Sequence, residues 1–137
     1  MEGNVMKVTI AALLLVGLVA AAVPAIAHHA FAAEFDSSKP ILLKGKFTKM
    51  DWINPHSWMW FDITYPDGKV VNWGAECLPP NGLYRNGWRK DTLKVGDEVE
   101  VQGFAAKDGS TRMWASRVSW VNQGGQQIFG LNQRRPE

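Results

Sequence analysis

All histidines of the chain fall in two short segments, and imidazole nitrogen is the most common metal ligand in proteins. His28 and His29 are adjacent, and His56 follows Asn54 and Pro55. A free α-amino group on His28 would let its amine and its ring chelate one Cu(II) ion together. His56 would add a third nitrogen, with His29 as an accessory ligand, in the nitrogen-rich tetragonal surroundings that suit copper. The sequence therefore predicts a copper site at His28, His29 and His56.

The same histidines also fit a simpler interpretation. His28 and His29 would then form an exposed polar start, and His56 would cap a turn by hydrogen bonding. Glu34 and Asp36 are candidate outer-shell partners if a metal binds. The sequence leaves the cofactor open, and copper is preferred to zinc because no carboxylate or thiolate is obviously paired with these histidines.

The tryptophans form a second constellation, because seven of them exceed what one small core holds. Trp58 and Trp60 lie on one face of a predicted strand, since alternate residues of a strand share a side. Some of the aromatic side chains are therefore expected to line a groove for a small molecule or partner protein, without a metal. Ordinary core packing is the alternative. The predicted groove residues are Trp58, Trp60, Trp88, Arg85 and Arg89.

Enzymatic motifs are missing from the sequence, which contains no GxSxG, HExxH or glycine-rich phosphate loop. Glu76 is the single acid of the apolar segment VVNWGAEC, and burial would raise its pKa. A hydrolase using Glu76 is therefore the enzymatic alternative. We expect Glu76 instead to face solvent or to hold the loop at Pro79 and Pro80, and we predict a non-enzymatic binding module.

The first 27 residues have the pattern of a cleavable signal peptide. Lys7 precedes a run from Val8 to Val23 that contains only apolar or small residues apart from Thr9, and Ala25-Ile26-Ala27 follows Pro24. This order of basic residue, apolar core and small-residue cleavage site is typical of export. We expect cleavage after Ala27, a periplasmic or secreted bacterial protein, and no membrane span after cleavage. The cut would also give His28 its free amine.

Charge and cysteine content narrow the partners. The formal net charge is only +2, and a dense basic patch is lacking, so nucleic acid is not an expected partner. A metal ion, a small molecule or a periplasmic protein is expected, with the chain as a monomer. Cys77 is the only cysteine, which excludes an intramolecular disulfide. We expect Cys77 to be buried in the core.

The elements that must position these residues are strands. Predicted strands cover residues 41–52, 58–65, 69–76, 98–104 and 113–121, with a short edge strand at 126–129. Asn54-Pro55-His56 and Pro66-Asp67-Gly68 separate the first three, and Gly45 is the expected bend of the first. Pro79 to Trp88 is framed by proline and glycine, which predicts one or two helical turns.

Three strands, a short helical connection and two further strands match the five-stranded OB-like Greek-key barrel. The fold class is therefore all-β, with a plain antiparallel sandwich as the alternative. The expected organisation is a signal peptide at 1–27, an N-terminal arm at 28–40, the OB-like barrel at 41–131 and a flexible tail at 132–137.

Five segments of the chain carry a recognisable pattern: HHAFAAEFD from His28, WINPHSW from Trp52, PNGL from Pro80, GWRKDTL from Gly87 and GDEV from Gly96. Together they resemble a family of small exported bacterial proteins of uncharacterised function. That resemblance implies a periplasmic OB-like barrel and brings no settled activity or cofactor. The His-His start and the Asn-Pro-His turn belong to the family pattern, which favours a role for His28, His29 and His56. Chemically, the histidine set is similar to the amino-terminal histidine brace of copper proteins.

Overall fold

The structure is a computed structural model that describes residues 31–121 and the backbone of residues 127–130. The chain divides into two compact units, Met1–Ala33 and Glu34–Glu137. The predicted signal peptide, His28, His29 and the predicted tail at 132–137 lie outside the described residues. In the described ranges, no helix is long and apolar enough to cross a membrane.

The second unit is mostly β. Its first strand begins at Phe35, six residues earlier than predicted, and the other strands begin within one residue of the predicted positions. The elements are β1 (Phe35–Asp51), β2 (Trp58–Thr64), β3 (Val70–Glu76), α1 (Pro80–Arg85), β4 (Glu98–Ala106), β5 (Arg112–Trp120) and β6 (Gln127–Gly130).

Five strands close into a ring. Their order is β3-β2-β1-β4-β5, with antiparallel neighbours throughout. A short parallel pairing of β3 with β5 completes the ring, and β6 adds antiparallel to β5. In the parallel pairing Gly74, Ala75 and Glu76 lie beside Arg112, Met113 and Trp114. This closure brings the end of β3 next to the start of β5, where the candidate site lies.

The predicted hairpin between β2 and β3 is confirmed. The amide of Tyr65 donates to the carbonyl of Lys69 at 2.9 Å, and the amide of Gly68 donates to the carbonyl of Tyr65 at 2.9 Å. Gly68 has φ of 81°, a left-handed conformation that glycine adopts at no steric cost. The Pro-Asp-Gly sequence thus makes the turn expected of it.

The irregularity of β1 lies slightly beyond its predicted position at Gly45. The register with β2 shifts between Phe47 and Lys49. A Cβ at position 45 would lie 2.5 Å from the backbone oxygen of Asp62 and 2.9 Å from the Phe61 ring. Glycine is therefore needed there so that β2 can approach closely, and the bulge follows it.

Apolar side chains that alternate along the strands fill the ring. Met59 and Phe61 of β2 are fully buried, as are Val99 and Val101 of β4. From α1 Leu83 is fully buried, and Trp88 after the helix is 1% exposed, so this connection also packs onto the core. Cys77 is fully buried as predicted, and burial raises the pKa of its thiol to about 12.

Candidate functional site

The end of β3 carries a buried carboxylate in contact with a histidine. Glu76 is the last residue of β3, and its side chain is 9% exposed. The chain before β2 continues alongside β3, because the amide of Cys77 donates to the carbonyl of Ser57 at 2.8 Å and the amide of Ser57 donates to the carbonyl of Leu78 at 3.2 Å. This backbone pairing places His56 so that its Nδ1 contacts Oε1 of Glu76.

The electrostatics of Glu76 are set by burial and by three ionisable neighbours. Burial is the largest effect and raises the pKa of the Glu76 carboxyl above its ordinary value. Glu34 adds to this rise by repulsion, whereas His56 and Arg112 oppose it. A carboxylate at this position is therefore stabilised mainly by its contact with His56.

The ring of His56 is held on a second side by an aromatic residue. Trp114 of β5 lies edge-on to the imidazole, with ring centres 5.6 Å apart and planes at 83°. The ring of Phe35 packs next to that of Trp114, with ring centres 5.9 Å apart. The His56 side chain is nevertheless 37% exposed, and Nε2 has no hydrogen bond or ion pair within residues 31–121. The imidazole is thus fixed through Nδ1 and presents Nε2.

Trp58 and Trp60 of β2 form a neighbouring aromatic pair on the outer surface of the β-strand ring. Their ring centres lie 6.0 Å apart and their planes differ by 26°. Residues that face each other across strands point to the same side, and Trp58 lies opposite Glu76 while Glu76 lies beside Trp114. The aromatic pair and the His56–Glu76 contact therefore share the outer face of β2, β3 and β5.

A protein-family model matches residues 14–115, a range that includes all three histidines, Glu76 and Trp114. It describes a family of unknown function, DUF6152. The chain belongs to the DUF6152 family. The expectation of an uncharacterised family is therefore confirmed.

Other comparisons give little further information about this DUF6152 chain. No curated protein matches it. Among solved structures, it is similar to the crystal structure of apo TiaS, a tRNAIle2 agmatidine synthetase, with 20% sequence identity and a TM-score of 0.43. The similarity covers 63% of this chain and 19% of that one, so the chain spans about a fifth of the synthetase.

The structure changes the assignment of outer-shell partners around His56. Asp36 accepts hydrogen bonds from the hydroxyl and amide of Ser38, at 2.6 and 3.0 Å, and pairs with Lys39 at 3.5 Å. Glu34 acts on Glu76 electrostatically. The direct partner of His56 is Glu76, so our expectation that Glu76 faces solvent or holds the proline loop is wrong. Its signal in the sequence was a single acid inside an apolar strand.

The predicted metal ligands are only partly placed. His56 lies in the site just described, whereas His28 and His29 are outside the described residues. Within those residues, no group of three or more histidine, cysteine, aspartate or glutamate side chains is arranged to hold a metal ion.

The five predicted groove residues have different environments. Trp58 and Trp60 are together on the surface, but Trp88 belongs to the core. Arg89 donates to the carbonyl oxygens of Trp88 and Tyr84, at 2.7 and 3.2 Å, and its guanidinium lies 5.7 Å from the Tyr84 ring. Arg85 is exposed in the last turn of α1. The structure thus places Arg89 against the helical connection. Of the three predicted groove tryptophans, only Trp58 and Trp60 lie together.

Proposed function

We propose that this DUF6152 chain is an exported, non-enzymatic binding module that holds a metal ion through His56. The observation that supports the proposal is the contact between the buried Glu76 carboxylate and Nδ1 of His56. In metal sites, a ligating histidine characteristically donates its second ring N–H to a carboxylate, which fixes the tautomer and makes the ligand more basic. Glu76 has that position relative to His56.

The geometry favours Nε2 as the metal ligand. Nδ1 is already engaged by Glu76, and the His56 side chain remains 37% exposed. Trp114 restricts rotation of the imidazole from its edge. A ligand held in this way is oriented before the metal arrives, which reduces the entropy lost on binding.

The proposed metal is copper. His28 would supply its α-amine and its ring after signal cleavage, and His29 would be an accessory ligand. That part of the proposal depends on the sequence alone, and it joins export to metal binding because the cleavage site determines which residue has a free amine. A set of nitrogen ligands suits Cu(II) better than the harder metals.

The fold proposed for this module is an OB-like Greek-key barrel. The strand order of the ring, its parallel β3–β5 closure and the position of α1 between β3 and β4 support it.

The test is Cu(II) titration of the mature protein, expressed with its own first 27 residues and with its amino terminus identified by mass spectrometry. We expect one Cu(II) per chain, with binding abolished in His28→Ala and His56→Ala. Glu76→Gln should weaken binding by about 10- to 100-fold, the usual cost of losing an outer-shell partner.

Asp36→Asn is the matched control, since it removes a carboxylate that pairs with Ser38 and Lys39 and does not contact His56. Unchanged affinity in His56→Ala would refute the site. An amino terminus other than His28 would refute the three-nitrogen arrangement. The role of His56 would then depend on the result for His56→Ala alone.

A further inference from the structure

Three of the seven tryptophans, Trp58, Trp60 and Trp114, lie on the outer face of the β-strand ring and are not part of its core. Trp88 is buried, and Trp52, Trp73 and Trp120 pack against the core. In β2 the core is filled by Met59 and Phe61, which alternate with Trp58 and Trp60 on the outside. The indole platform, defined as Trp58, Trp60, Asp51 and Lys49, therefore requires an explanation other than internal packing.

The Trp60 ring is held in one orientation by polar contacts. Its Nε1 donates to Asp51 at 2.7 Å. The same carboxylate binds Nζ of Lys49 at 2.9 and 3.2 Å, and that Nζ lies 5.3 Å from the centre of the Trp60 ring. The hydrogen bond from Lys49 and, to a smaller extent, the one from the Trp60 N–H lower the pKa of the Asp51 carboxyl. Asp51 is therefore ionised at neutral pH and accepts both bonds. An aromatic group fixed in advance loses little entropy on binding a ligand.

The sheet beneath the platform is shaped to receive the indoles. Gly74 of β3 lies opposite Trp60. A Cβ at position 74 would lie 2.9 and 3.1 Å from atoms of Trp60 and 3.3 Å from Trp58. Both rings therefore rest close to the backbone of β3, where a larger residue would lift them.

The polar surroundings of the platform indicate the class of ligand. Beyond Trp60, the amide of Asn72 donates to Asp62 at 2.7 Å and approaches the hydroxyl of Thr48 at 3.5 Å. Lys46 lies opposite Asp62, as Lys49 lies opposite Trp60, so acids and bases are balanced on this face. An anionic polymer needs an excess of bases, and a lipid surface needs an apolar border. A carbohydrate combines C–H faces that stack on indole with hydroxyl groups that bond carboxylates, amides and ammonium groups.

We propose that the indole platform binds a neutral oligosaccharide. A sugar ring stacks on the exposed surface of the two indoles, and its hydroxyl groups bond Asp51, Lys49 and the Asp62–Asn72 pair. The binding uses different side chains from the metal site at His56 and does not depend on a bound metal.

The experiment is isothermal titration calorimetry of the full chain with cellohexaose, chitohexaose, maltohexaose and mannohexaose, in the presence of EDTA. We expect at least one of them to bind with Kd at or below about 1 mM. Trp60→Ala should weaken that binding by about tenfold, the upper range for one aromatic contact. Trp60→Phe, which keeps a ring but loses the bond to Asp51, should weaken it less.

Tyr84→Ala is the control, because it removes a 39% exposed ring from α1 and leaves the platform intact. Circular dichroism verifies the fold of each variant. No heat or saturation with any of the four sugars at about 1 mM would overturn the proposal. Equal loss in Tyr84→Ala, or tighter binding of a heparin hexasaccharide than of every neutral sugar, would also overturn it. Sugar binding is measured in EDTA and Cu(II) binding without sugar, so failure of the metal site and failure of the platform are distinguishable.

Discussion

Replacing Gly74 by alanine should displace the indole platform while leaving the ring folded. The new Cβ would lie 2.9 Å from Cζ3 and 3.1 Å from Cη2 of Trp60, and 3.3 Å from Cε3 of Trp58. All three are side-chain atoms on the outer face, so the indoles are able to tilt away from β3. The Trp60 ring must retreat by about half an ångström to reach ordinary contact, which strains its 2.7 Å bond to Asp51.

The stability cost of Gly74→Ala is expected to be small. Overpacking costs about 1–3 kcal/mol in a closed core, and position 74 belongs at the low end because the atoms that a Cβ would meet are partly exposed side chains. Replacing glycine by alanine also reduces the conformational entropy of the unfolded chain, which offsets about 0.4–1 kcal/mol of the lost stability. A net loss of about 1 kcal/mol corresponds to a fall in Tm of roughly 4–8 °C for a domain of this size.

Gly103→Ala is the matched control, because it makes the same chemical change in β4 against a rigid neighbour. Its Cβ would overlap the carbonyl oxygen of Trp114 and lie 2.8 Å from the carbonyl carbon. Relief requires β4 and β5 to separate at the bulge between Gln102 and Gly103. We expect a loss of about 3 kcal/mol or more, several times the loss at Gly74.

The assay is urea and thermal unfolding followed by circular dichroism, with the Trp60 indole resonance observed by NMR. Gly74→Ala should move that resonance, weaken sugar binding and lower Tm by only about 4–8 °C. Equal destabilisation by the two substitutions would refute the distinction between side-chain and backbone neighbours. An unmoved Trp60 resonance in Gly74→Ala would refute the account of the platform.

Three further predictions concern the same fold. Because burial raises the Cys77 thiol pKa to about 12, iodoacetamide should modify Cys77 only after denaturation, as followed by mass spectrometry; rapid labelling of the native chain would contradict this. Asp51 has a lowered pKa, so its bonds to Lys49 and Trp60 persist at neutral pH and are lost as the pH falls below the ordinary aspartate value of about 3.9. The NMR shift of the Trp60 indole should follow this titration. In Asp51→Asn the pH dependence of that shift should disappear. Leu83→Ala should cost about 2–5 kcal/mol in urea unfolding because the side chain is fully buried, whereas Tyr84→Ala should cost far less.

Local signals predicted most strands and turns. The Pro66-Asp67-Gly68 turn sits between two alternating segments, and both its position and its hairpin are as expected. The early start of β1 was missed because residues 37–40 are polar and end in proline. The register with β4 skips from Phe35 to Pro40, so this part of the strand lacks the alternating pattern of a half-buried strand.

The candidate site was harder to predict because it depends on the closure of the ring. Glu76 meets His56 only because β3 pairs with β5 in parallel and because the chain before β2 continues beside residues 77 and 78. Sequence spacing carries no information about such a pairing. By contrast, the shared face of Trp58 and Trp60 follows from strand periodicity, and the burial of Trp88 reflects a helical connection that packs inward.

The pairing of β1 with β4 also bears on how the chain reaches its folded state. Lys46 lies opposite Glu98 and Phe35 opposite Ala106, so these partners are about 50 to 70 residues apart along the chain. Folds dominated by such distant pairings assemble slowly, because loop entropy must be lost before the contacts form. The ring is also incomplete until β5 is available to join β3. For a chain proposed to cross a membrane before folding, this delay would keep the polypeptide extended long enough to be translocated.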